Sequence, residues 1–185
     1  MQMNTQAKSI EQTIAAIHAL DLDAIKFKLM NAEEGQSWSR QHADLNELEY
    51  KRFLILLAKY PEEPITPSKS VDKFWHGHIL DTLKYDRDCQ HVFGYFLHHF
   101  PYFGMRGDED AANFNEAGKI THQLYEQEFG LSMPKAATYC ARGTEVTAAA
   151  YCARGTEVTA AAYCAAPSKQ DKINSSLRPT LASVA

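Results

Sequence analysis

The chain has 185 residues, a net charge of −4 and a pI near 6.0, with 45% of its side chains hydrophobic and 23% charged. That length predicts one domain plus an appendage, and the acidic balance argues against a nucleic-acid binder, which usually carries a basic face. No apolar run reaches the roughly eighteen residues of a membrane span.

The first residues, Met1 to Gln6, lack the basic start and apolar run of a secretion signal. The cysteines Cys89, Cys140, Cys152 and Cys164 make no secreted disulfide framework, so reduced thiols and a cytoplasmic location are expected. Apolar residues at three- and four-residue spacing (Ile10, Ile14, Ile17 and Leu20) predict a helix over 9–20, with Ser9 and Gln12 placed as a capping box. A short second helix opens at Asp21, runs through Phe27, Leu29 and Met30, and stops between Asn31 and Gly35. A polar loop carrying Trp38 follows. The widest apolar stripe, from Leu45 and Leu48 to Leu56 and Leu57, predicts a third helix from Arg40 to Tyr60.

Pro61, Pro64 and Pro67 make 61–67 an extended connector, because each proline biases its predecessor away from the helical region. Ser68 or Ser70 then caps a fourth helix that runs to Phe93, and 96–107 reads as an aromatic turn region. Asp108 caps a fifth helix ending at Phe129-Gly130. Strand-type alternation is scarce. The expectation is an all-α domain of about five helices over residues 1–134.

Composition changes at Pro134. All nine phenylalanines and both tryptophans precede it, and residues 1–134 carry 13 basic and 20 acidic side chains against 6 and 3 in 135–185. The second segment has too few large apolar residues to offset its chain entropy and is expected to be a disordered tail. It contains a perfect twelve-residue repeat, Ala141 to Cys152 and again Ala153 to Cys164. The Tyr-Cys step therefore occurs as Tyr139-Cys140, Tyr151-Cys152 and Tyr163-Cys164. Three spaced thiols can take a soft metal ion or a covalent modification. A DNA-level duplication tolerated in a floppy tail accounts for the same pattern.

Chemistry-bearing residues concentrate between Val71 and Thr82, where two histidines, a tryptophan and two carboxylates interrupt an apolar helix. At about 100° per residue, Lys73, Gly77, Asp81, Lys84 and Asp88 gather on a wet side, and Val71, Trp75, Ile79, Leu83 and Phe93 fall opposite. Asp72 and His76 are stacked neighbours on one margin, whereas His78 lies on the other with Tyr85 and Cys89. Two sites follow. Asp72 and His76 can be joined by His98 or His99 from the aromatic turn, a donor set suited to zinc, iron or copper. His78, Tyr85 and Cys89 put an imidazole, a phenol and a thiol in one row, where a thiolate can be activated as a nucleophile. The competing structural reading has Asp72 favouring the helix dipole, His76 paired with it as an ordinary buried ion pair, His78 and His99 as satisfied core histidines and Cys89 as a small buried hydrophobe.

The run from Tyr50 to Gly130 resembles the glycine-rich domain-containing protein-like family. The likeness is carried by Tyr50-Lys51-Arg52-Phe53-Leu54, by Asp72-Lys73-Phe74-Trp75-His76-Gly77-His78, and by Tyr85, Asp88-Cys89 and His98 to Gly104. It implies an all-α module and no particular reaction. This chain lacks the glycine-rich segment of larger members, having nine glycines in all. The tail's layout resembles a precursor of ribosomally made, modified peptides, whose partners would be modifying enzymes. Three functions are therefore expected to compete. In the first, the helical domain is a recognition and metal-binding module whose Tyr-Cys repeats are modified or bind metal. The second is a metal-dependent enzyme with an Asp/His site, and the third a non-catalytic interaction module.

Overall fold

The computed structural model describes residues 8–134, and within them the chain is helical with no strand. Six helices form: α1 (Ile10–His18), α2 (Asp23–Met30), α3 (Arg40–Lys59), α4 (Lys69–Leu80), α5 (Thr82–Val92) and α6 (Asp108–Phe129). The repeats, with Tyr139, Cys140, Tyr151, Cys152, Tyr163 and Cys164, lie outside the described residues, as does the expectation of disorder there.

Side-chain caps fix where α1, α3 and α4 begin, whereas α2 and α6 start without one, and the residue before α6 is Gly107 rather than a capping Asp108. Ser9 accepts from the Gln12 backbone N–H while the Gln12 side chain returns to the Ser9 backbone, completing the expected capping box. Ser39 and Ser68 cap α3 and α4 in the same way, through the backbone N–H groups of His42 and Val71. Burying α3's inner face builds the core, where Tyr50, Phe53 and Leu56 meet Ile17, Leu22, Ile25, Phe74 and Trp75. All eight are no more than 2% exposed. Burying one such side chain stabilises by about 1.5–3 kcal/mol.

The expected apolar stripe on α3 is wider than the buried face. Leu45 and Leu48 are exposed, while Asn46 and Glu49 are buried. Glu49 is compensated: Arg52 donates to its Oε1 at 2.7 Å and the Tyr125 hydroxyl to its Oε2 at 2.8 Å. This network fastens α6 to α3. Burial and the neighbouring Glu49 carboxylate push the Tyr125 phenol up to about 12. The connector is tied to the same helix, since Thr66 N–H donates to Thr121 Oγ1 at 2.9 Å.

The largest departure from expectation is the fourth helix, which is two. At Asp81 the backbone leaves the helical region (φ −84°, ψ 71°), and the Asp81 carboxylate accepts from Lys84 N–H at 3.4 Å to start α5. An aspartate that satisfies the orphan N–H groups of a new helix makes the break cheap. Leu83, expected on the buried side, is consequently 79% exposed. Gly77, expected on the wet side, faces α2, where a Cβ would lie 3.2 Å from Ile25 Cγ2. Its missing side chain lets α2 and α4 approach closely.

Candidate metal centre

Asp72 and His76 sit one turn apart on α4, and capping at Ser68 fixes where that turn begins. Gly94 reverses the chain after α5 with φ 77°, a conformation that favours glycine, and the following segment brings His99 back over α4. His99 Nε2 then lies 3.1 Å from Asp72 Oδ1 and 2.9 Å from His76 Nε2, while His76 Nε2 is 3.7 Å from Asp72 Oδ2. Asp72 and His99 are mostly buried, and the His76 side chain is 51% exposed, so the cluster opens to solvent on the His76 side.

With His99 Nε2 protonated, its one hydrogen is shared between the Asp72 carboxylate and the His76 nitrogen. The same three atoms are also of ligand types that one cation can take together. Donors held about 2.1 Å from a common ion lie roughly 2.9–3.4 Å apart; the two distances from His99 fall in that range, and the His76–Asp72 distance of 3.7 Å is longer. Two imidazoles and one carboxylate leave coordination positions for water or a substrate, as in catalytic zinc and non-haem iron sites.

His98 does not join. It is exposed, and its ring packs on Phe96 with centroids 4.8 Å apart. Of the two adjacent histidines, the turn directs only His99 inward. Among the described residues, Asp72, His76 and His99 are the one group of three or more such side chains whose ligand atoms converge within 4.8 Å.

His78 points elsewhere, into a buried network. Its Nε2 donates to Asp88 Oδ2 at 2.9 Å, which leaves Nδ1 to accept the Tyr50 hydroxyl at 3.0 Å. Lys84 donates to the same Asp88 oxygen at 2.8 Å. Burial pushes the imidazole below its ordinary value, only partly opposed by Asp88. Asp88 and Tyr50 are the partners that the periodicity did not indicate, because the break at Asp81 turns Asp88 from the wet side toward His78.

The expected nucleophilic thiol is not supported. Cys89 is 3% exposed, and burial pushes its thiol up, away from the thiolate form. Tyr85 is edge-on to the His78 ring at 4.9 Å, and its hydroxyl is engaged by Trp75 Nε1 at 2.8 Å and Leu97 O at 2.5 Å. The row of thiol, phenol and imidazole is thus core packing without an activated nucleophile.

No helix among the described residues is long and apolar enough to cross a membrane. No curated protein and no solved structure matches the chain. A family model described as UCP032817-like matches residues 13–124, a span that begins in α1, ends in α6 and includes all three converging donors. The chain belongs to the UCP032817-like family.

Proposed function

We propose that the helical domain is a metal-binding module in which Asp72, His76 and His99 hold one divalent transition ion, zinc, iron or copper. The observation that carries this reading is the convergence of one ligand atom each from Asp72, His76 and His99 at separations that a single ion can span. Three protein ligands and an open side suit Lewis-acid chemistry: such an ion lowers the pKa of a bound water toward 7 and polarises a carbonyl. The open side also fits presentation of the ion to a partner, so the catalytic and the recognition forms of this reading share one site.

The Tyr-Cys repeats favour a second element of function. Their identity over twelve residues, on a segment without core-forming residues, fits a substrate for modifying enzymes or a soft-metal ligand, with the helical domain as the recognition part. The likeness to the glycine-rich domain-containing protein-like family is compatible with both elements and assigns neither.

Elemental analysis and intact mass of the full chain from its native host test the two together. Metal near one equivalent, lost in His76→Ala, supports the centre, and a mass shift located on the tail supports modification. Metal-free protein that also takes up no ion on reconstitution rejects the centre, leaving the interaction module.

A further inference from the structure

We infer that Tyr85 is the positioning residue of the Asp72–His76–His99 centre, an inference that rests on the metal-binding reading above. His99 lies on the irregular chain between α5 and α6, outside any helix. Beyond its ring's bonds to Asp72 and His76, two contacts support it. Leu97, two residues earlier, is 2% exposed, and its carbonyl accepts from the Tyr85 hydroxyl at 2.5 Å. Trp75 is fully buried and lies against the His99 imidazole with ring centroids 4.6 Å apart. Its Nε1–H donates to the same Tyr85 oxygen at 2.8 Å.

One phenolic oxygen therefore holds both the backbone from which His99 projects and the indole on which its ring rests. The Tyr85 ring is itself locked, edge-on to Phe96 at 5.2 Å and to His78 at 4.9 Å. The break at Asp81 gains a purpose here. It redirects α5 so that Tyr85 meets Trp75 of α4 while spanning to the returning turn. Asp72 and His76 are fixed by α4 alone, so His99 is the donor whose register depends on this support.

Removing the hydroxyl leaves the Trp75 donor and the Leu97 acceptor without that partner and frees the turn to shift. Partners that hydrogen-bond a metal ligand directly change affinity by about 10–100-fold, and Tyr85 acts one contact further out, so the lower end of that range is expected. Tyr125→Phe is the matched control, because Tyr125 is equally buried but its hydroxyl serves Glu49 and Arg52. The experiment measures zinc affinity, the Co(II) ligand-field spectrum and urea stability for the full chain, Tyr85→Phe and Tyr125→Phe. The expected result is zinc binding weakened about tenfold or more in Tyr85→Phe with altered Co(II) bands. Tyr125→Phe keeps wild-type affinity and bands while losing comparable stability. Equal affinities in the two variants overturn the inference.

A metal-free readout separates failure of the centre from failure of the inference. In the metal-free wild type, the His99 ring protons carry the ring-current shift of Trp75, and in Tyr85→Phe that shift collapses. A wild type that binds no ion rejects the metal reading by itself. A His99 shift unchanged by Tyr85→Phe rejects the positioning role whatever the metal does.

Discussion

Tyr50→Phe removes one oxygen from the centre of the core, and its cost follows from two atoms. Tyr50 is 1% and His78 2% exposed, and their hydrogen bond of 3.0 Å is sealed from water. Deleting the hydroxyl removes the bond and leaves His78 Nδ1 as a buried acceptor, a penalty of about 1–3 kcal/mol. We expect a loss of about 2 kcal/mol at pH 7.5, which at an m value of about 2 kcal/mol/M lowers the urea midpoint by about 1 M. The pH dependence gives the sharper signature. His78 is held below its ordinary value by burial, so the unfolded chain takes up a proton near pH 6.5 that the folded chain refuses. Wild-type stability is therefore whole above about pH 6.5 and falls as pH drops toward the folded value. The Tyr50 hydroxyl favours neutral His78. Without it the imidazole protonates more readily in the folded state, and the variant loses less stability in acid. Urea unfolding at pH 7.5, 6.5 and 5.5 should show the gap between wild type and variant narrowing as the pH falls, within conditions of roughly constant m. A gap below about 0.5 kcal/mol at pH 7.5, or one that widens in acid, refutes the reasoning, since a typical buried bond exceeds that value.

Three further outcomes follow. Cys89 should resist thiol reagents in the folded protein and react at an ordinary rate once unfolded, because burial disfavours its thiolate; a label count at Cys89 by mass spectrometry, before and after denaturant, checks this. Gly104→Ala should destabilise by about 1–3 kcal/mol, because φ is 88° and the new Cβ would lie 3.1 Å from Phe114 Cβ. Its thermal midpoint, compared with a Gly118→Ala control where the added Cβ meets nothing within 4 Å, tests that. Zinc at about 100 times its dissociation constant should stabilise the domain by about 2.7 kcal/mol, and that gain should vanish in His99→Ala while persisting in His98→Ala.

Much of the fold was legible because its signals are local. The Ser9 capping box, the proline connector and the span of α3 each rest on signals within a few residues, and each appears where expected. What was not legible depends on elements meeting. The signals near Asp81 do not decide for a break: Gly77 lies one turn earlier, and Asp81 reads as a helix N-cap or equally well as an exposed helical residue. The helical wheel carried across that break put Leu83 inside and Asp88 outside, and both are reversed in sense. Glu49 and Asn46 take places on the buried face of α3 because Arg52 of α3 and Tyr125 of α6 compensate the charge of Glu49, and the Asn46 amide donates to the His42 carbonyl. The site shows the same division. Asp72 and His76, four apart on one helix, were visible as a pair. The choice between His98 and His99 was not, because an irregular turn has no periodicity to assign adjacent residues to opposite sides.

X-ray absorption at the edge of the bound metal, on the reconstituted full chain, tests the centre most directly. The expected first shell is nitrogen and oxygen with outer-shell scattering from two imidazoles, falling to one in His99→Ala and unchanged in His98→Ala. A shell dominated by sulfur would move the ion to the Tyr-Cys repeats, and a shell without imidazole scattering would contradict the Asp72–His76–His99 centre.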